Sequence, residues 1–409
     1  MSAPTPSSGF PSPSGFPRPV ASSGEAEPLE ALTAPSLPVD AQVADRLRAG
    51  AHHAWLLARA PALHLSHLLH RRSTPPAPTL VHHLLVLRTD RIGDLVLSTP
   101  LLTDLRAHYR HARITVLAPS QPLSILHAHP AVDRLLPLDG AGLPEEVRGR
   151  FDLVLDLTPD ATLQGALLAR ATGAPWRAGF RAAGREVFFT LPSPPAQRER
   201  HIVDLNRDLL EALGVPAHTT VPVVHLTPAE RKAAEARTTA LGAAAPRVVV
   251  HPGGHYPSQR WAPERFAEVI ARLTEQHGAA CLVVSGPGEE RLAERIASLT
   301  PDALLPGPLD VRGLMGILAL ADLYVGNNSG PLHLAAALGV PTLSLMGPSD
   351  PRRFTPRGVS DSVLRLALPC SPCPRGRRWH HTCLAGITPS QVASRASALL
   401  RYAALPKAA

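Results

Sequence analysis

The chain has 409 residues, 44% of them hydrophobic and 18% charged, with a formal net charge of +8 at pH 7. That length allows two or three domains with cores of their own, and the positive balance favours anionic partners such as nucleotides, phosphorylated glycans or acidic lipid surfaces. No apolar run reaches the 18 or so residues that cross a bilayer, MSAPTPSSGFPSPSGF lacks the basic and apolar regions of a secretory leader, and the scattered arginines lack the interleaved aromatics of a nucleic-acid binder.

A cytoplasmic protein is therefore expected, with contact at the inner face of the cell membrane left open. Residues 1–40, with nine prolines and eight serines, read as a disordered tail. Residues 41–72 have helical patterning rich in Leu, His and Arg, interrupted at Pro61. Two readings stay open for them: a basic amphipathic patch on a membrane surface, or a helical pair packed on the body. Thr74-Pro-Pro-Ala-Pro78 follows as a stiff linker that closes a 41–79 segment.

From residue 80 short apolar runs alternate with helical patterns. Strands are expected at Leu84–Leu87, Ile114–Ala118, Arg134–Leu138 and Leu153–Leu157, separated by helices such as Leu95–Tyr109 and Ala161–Ala171. After a helix at His201–Leu213 and a Pro-containing stretch, the alternation restarts. Strands are expected at Val248–His251, Cys281–Ser285, Leu304–Leu305, Leu323–Val325 and Thr342–Leu345, with helices near Pro263–His277, Glu289–Leu299, Leu314–Leu320 and Pro331–Leu338. Continuous apolar strands joined by helices imply parallel sheets buried on both faces. The fold class is α/β: two doubly wound, Rossmann-like domains facing across a cleft, divided at about residue 225 into 80–225 and 226–409.

Ligands in such sheets bind beyond the carboxyl ends of the strands. Three stretches fall there. LVLRTDRIGDLVLSTP (85–100) places Arg88, Asp90, Arg91, Gly93 and Asp94 where a strand turns into a helix. Asp94 either does chemistry or only caps that helix. HPGGHYPSQRWAPERF (251–266) offers Gly253 and Gly254 for close backbone approach, and Arg260 with a fork suited to phosphate. YVGNNSGPLHLAAALG (324–339) ends a strand in polar residues and opens a helix at Gly330-Pro331; its free N–H groups suit a diphosphate, and His333 lies on the first turn. A further loop, SGPGEERL (285–292), brings Glu289, either a ribose acceptor or a plain first-turn acid.

The patterns RxxxIGDxxLxTPxLxxLR (Arg88–Arg106), PGGxxxxxRWxxExFAxxI (252–270) and NNSGPxHLAAALGxPTxxLxGPxDP (327–351) resemble the bacterial ADP-heptose:lipopolysaccharide heptosyltransferases, glycosyltransferase family 9. The resemblance implies a GT-B fold, with the acceptor on the N-terminal domain and the nucleotide sugar, ADP-heptose foremost, on the C-terminal one. It implies inverting transfer without metal or other cofactor onto a glycolipid or glycan, Asp94 as the base, and Asn328, Ser329, Gly330 and His333 as the donor loop. Two positions depart from the family pattern: Gln259 where members usually carry Lys, and Asn328 where many carry Asp. Phosphate attraction in the first loop then falls to Arg260. On the residues alone Asp90 is the alternative base to Asp94. The rivals to a heptosyltransferase are the same fold with another donor and a wall-polymer acceptor, and a non-catalytic relative that binds nucleotide sugar. Near the C-terminus CSPCPRGRRWHHTC (370–383) sets Cys370, Cys373 and Cys383 beside His380 and His381. That spacing is compatible with zinc, with reduced thiols or with a transient disulfide.

Overall fold

The computed structural model describes residues 74–403 apart from 140–146, 161, 192, 198, 245 and 374–381, plus isolated positions between 61 and 71. The expected tail over 1–40 lies outside the described residues, and the segment over 41–73 almost wholly so.

The first sheet begins with β1 (His83–Leu87), whose last four residues are buried. The chain turns through Arg88–Arg91 into α1 (Ile92–Val96) and then α2 (Thr99–His108). The single helix expected over Leu95–Tyr109 is thus two. Pro100 has no N–H to offer the Val96 carbonyl, which accepts instead from Thr99 Oγ1 at 2.8 Å. The remaining elements are β2 (Arg113–Ala118), the short α3 (Ser120–Leu123), β3 (Arg134–Pro137), β4 (Leu153–Asp156), α4 (Gln164–Ala171), β5 (Trp176–Gly179) and α5 (Ile202–Ala212). β5 was not expected, because Trp-Arg-Ala-Gly is short and lacks an apolar run.

The second sheet follows α6 (Pro228–Ala240), which opens on a Thr227/Glu230 capping box. Its elements are β6 (Arg247–His251), α7 (Pro263–His277), β7 (Ala280–Val283), α8 (Glu290–Leu299), β8 (Ala303–Leu304), α9 (Val311–Ala319), β9 (Leu323–Asn327), α10 (Gly330–Ala337), β10 (Thr342–Leu345), α11 (Pro351–Phe354), β11 (Asp361–Leu364), α12 (Thr382–Ala385) and α13 (Pro389–Ala403). Among the described residues no helix is long and apolar enough to cross a membrane.

All recorded pairings in both sheets are parallel. The strand order is β3-β2-β1-β4-β5 in the first and β11-β10-β9-β6-β7-β8 in the second. Winding reverses between β1 and β4, and again between β6 and β9. Those two reversals leave crevices beyond the strand ends, and the loops 88–94, 251–260 and 327–330 emerge there.

The two lobes are tied together directly. Arg357 Nη1 donates to Asp204 at 2.9 Å, and His201 Nε2 meets the Thr355 carbonyl at 2.8 Å. On another side Arg312 pairs with Glu230 at 2.5 Å while its Nη1 donates to the Ile125 carbonyl at 3.3 Å.

Candidate active site between the two sheets

In the front lobe, β1 delivers Arg88 into the interior, where it is 1% exposed. Its Nε lies 2.7 Å from Asp90 and its Nη2 3.3 Å from Asp94, while Nη1 donates to the Leu157 carbonyl. One buried guanidinium therefore holds both acids of the turn. Burial pushes the Asp90 carboxyl up to about 7, against the pull of Arg88 and with the nearby Asp94 charge adding to the rise. Asp94 sits in the first turn of α1, which has no side-chain cap. Its side chain is 20% exposed.

The turn meets the rear lobe at a crossing of two helix starts. A Cβ on Gly93 would lie 2.9 Å from His333 Cδ2, and one on Gly330 would lie 3.3 Å from the Ile92 Cβ. Glycine is thus required at 93 by the approach of α10. His333 is buried on this contact, and burial holds it down to about 4 although Asp94 works the other way. It is accordingly a neutral imidazole at pH 7.

In the rear lobe the polar side chains largely satisfy one another. Asn327 is fully buried; it accepts from the Trp261 amide at 3.1 Å and donates to the Pro252 and Gly253 carbonyls at 2.8 and 3.1 Å. It stitches the two loops together and has no face toward a ligand. Asn328 donates to the Phe354 carbonyl at 3.3 Å. Ser329 Oγ lies 3.1 Å from His251 Nδ1, and His251 Nε2 lies 3.2 Å from Glu289. Glu289 also accepts from the amides of Gly254 at 2.8 Å and Gly286 at 3.1 Å. Burial opposes its charge, but the hydrogen bond and charge of His251 together with these two amides hold it at about 2. A Cβ on Gly253 would fall 1.9 Å from this carboxylate, so that glycine makes room for Glu289.

Arg260, expected to face phosphate, turns back into this cluster. Its Nε donates to the Gly254 carbonyl at 2.8 Å and its Nη2 lies 3.7 Å from Glu289. Gln259 accepts from the Tyr256 amide and donates to Ser349 Oγ at 3.2 Å.

Between the lobes lies a cavity of about 720 Å³. Of the predicted residues, Asp90, Arg91, Gly93, Asp94, Gly254, Gln259, Glu289, Asn328, Ser329, Gly330 and His333 line it; Arg88, Gly253 and Arg260 stand behind its wall. His251, Ser120 and Asp139 line it too and were not singled out from sequence. His251 was legible as the last residue of its strand, one position before the Pro-Gly-Gly loop. A neighbouring cavity of about 860 Å³ meets the first at Ser120, Leu309 and Asp310 and carries none of the predicted site residues.

The cysteines near the C-terminus do not line this cleft. Cys370, Cys373 and Cys383 are free thiols, and burial raises that of Cys383. His380 and His381 lie outside the described residues; among the described residues no group of three or more His, Cys, Asp or Glu is arranged to hold a metal.

Known proteins share this arrangement of sheets. The chain is 28% identical over 281 residues to lipopolysaccharide heptosyltransferase 3 of Escherichia coli (strain K12), covering 63% of this chain and 80% of that one. A solved glycosyl transferase of family 9 from Veillonella parvula superposes with a TM-score of 0.67 at 23% identity, covering 78% of this chain and 97% of its own. The solved Escherichia coli ADP-heptose lps heptosyltransferase II superposes with a TM-score of 0.66 at 23% identity, covering 78% and 99%. These two likenesses establish the two-lobed GT-B fold. The family model described as glycosyltransferase family 9 (heptosyltransferase) matches residues 142–380, more than half of the sequence, and the chain belongs to that family.

Proposed function

We propose that this protein transfers a heptose from ADP-heptose to a lipopolysaccharide-type acceptor, in one inverting displacement that uses no metal ion. The front lobe, about residues 80–225, takes the acceptor, and the rear lobe, 226–409, takes the nucleotide sugar. The observation that carries the reading is that Asp94 and the start of α10 face one cavity from opposite lobes, with Gly93 against His333. Donor and acceptor preferences follow the relatives, named for ADP-heptose and for lipopolysaccharide.

The acceptor hydroxyl would attack the anomeric carbon from the face opposite the diphosphate. Its proton passes to an Asp94 oxygen as the new C–O bond forms, and the bond to the diphosphate oxygen breaks with its electron pair leaving on that oxygen. Arg88 Nη2, 3.3 Å from Asp94 Oδ1, holds that carboxyl in place beside the acceptor. Charge growing on the diphosphate meets the first-turn amides of α10 at Ser329 and Gly330, which are already oriented and cost no reorganisation. Glu289 and His251 fix the loops that frame this end, and with three of the four lone-pair sites of Glu289 taken by Gly254, Gly286 and His251, one is left for a ribose hydroxyl. A glycolipid acceptor and a net charge of +8 fit action in the cytoplasm at the inner membrane face.

The test is transfer from ADP-heptose to heptose-deficient lipopolysaccharide in EDTA, with the product's anomeric configuration read by NMR. Inverted product formed at full rate is the expected result. Retained configuration overturns the single displacement, and loss of activity in EDTA overturns metal independence.

A further inference from the structure

The charge lining the cleft does not match an anionic donor. Asp90, Asp94, Asp139, Glu289 and Asp310 all line it, and among the described lining residues Arg91 is the single Arg or Lys. The rear lobe supplies little to offset this. Arg260 is turned toward the Gly254 carbonyl and Glu289, Gln259 is neutral, and burial keeps His333 uncharged. A diphosphate brought among Asp94, Asp139, Glu289 and Asp310, with burial raising the Asp90 carboxyl to about 7, needs a mobile positive charge as well as helix-end amides, because amide dipoles offset only part of a double negative charge.

Arg91 stands where it can provide that charge. It is the exposed residue at the start of α1, in the front lobe, yet its Nη2 lies 3.5 Å from the Tyr256 hydroxyl and its Cζ lies 5.7 Å from the centre of that ring. Tyr256 belongs to the rear-lobe loop 251–260, so the guanidinium already reaches over the cleft. We infer that Arg91 grips the donor's diphosphate from the opposite lobe, beside the crossing of Gly93 with His333. The inference rests on the nucleoside-diphosphate reading above, and it moves Arg91 from the acceptor's side to the donor's. An arginine fork suits two phosphate oxygens, and its release from Tyr256 loses only a weak, solvent-exposed contact.

Calorimetric titration with ADP and with AMP, in the absence of acceptor, tests this on the full chain. Arg91→Ala is expected to weaken ADP binding by about tenfold to a hundredfold, to change AMP binding by less than about threefold, and to do so less at high salt. Arg91→Lys should recover part of the ADP affinity, since a point charge replaces the fork. Arg91 is exposed, so unliganded thermal midpoints should be unchanged. ADP affinity equal in wild type and Arg91→Ala overturns the inference and leaves the transferase reading standing. Wild-type protein that binds none of ADP, GDP, UDP and dTDP overturns both.

Discussion

The two sides of the cleft are built on opposite plans. In the front lobe a single buried arginine, Arg88, holds two carboxylates whose outer faces stay open to the cavity. In the rear lobe Asn327, Ser329, His251, Glu289 and Arg260 are bonded to one another or to loop backbone. The front lobe thus presents side-chain chemistry, while the rear presents backbone amides on a braced frame. A reacting acid must change protonation state and needs freedom to do so. A phosphate cradle must only stay in place, and interlocked side chains keep it there.

The difference can be broken most severely at Arg88. Arg88→Met leaves Asp90 and Asp94 without their cation, and a cost of about 3–5 kcal/mol is expected, with activity lost alongside; a melt within 2 °C of wild type, about 1 kcal/mol at this size, would show the turn does not depend on it. On the rear side, Asn327→Ala orphans the Trp261 amide and two carbonyls, so about 2–3 kcal/mol of stability and much of the donor affinity should go. Unchanged nucleotide affinity would mean the frame is not needed to shape the cradle.

A smaller effect is expected where the plans meet. Gly93→Ala puts a methyl on the His333 ring and forces the helix starts apart by a few tenths of an ångström, which should lower turnover about tenfold with little change in melting temperature. Turnover equal to wild type would remove the crossing from the mechanism. The smallest effect is on acid stability. His129 and His333 are both held at about 4 by burial, His225 adding to the effect at His129 and Asp94 opposing it at His333. Their folded values lie below the unfolded value of about 6.5, so the unfolded chain binds more protons between the two. Stability is fully present above about 6.5 and declines as pH falls toward 4; substituting either histidine by Gln should flatten that decline, and an unchanged slope would reject the assignment.

Much of this was legible in the residues, for physical reasons that differ by region. Parallel strands buried on both faces must be continuous apolar runs, so β1, β2, β4, β6 and β9 announce themselves. Edge strands need not be, and Trp176–Gly179 and Asp361–Leu364 were missed. Gly93-Asp94 and Ser329-Gly330-Pro331 stood out because strand-end turns require those residue types. The direction of a side chain within a loop leaves no such mark. Arg260 looked like a ligand group by type, and only the packing shows Glu289 and the Gly254 carbonyl drawing it inward. The same blindness hid His251, whose partners at 78 and 38 positions away become neighbours only once the sheet is wound.

In the proposed reaction the base comes from the front lobe and the leaving group is held by the rear. Asp94→Asn separates these two functions in one protein. Turnover of ADP-heptose onto its acceptor should fall by about 10²–10⁴, while ADP-heptose affinity measured without acceptor stays within about threefold of wild type. Near wild-type turnover in Asp94→Asn, with Asp90→Asn inactive instead, would contradict the account and move the base to Asp90.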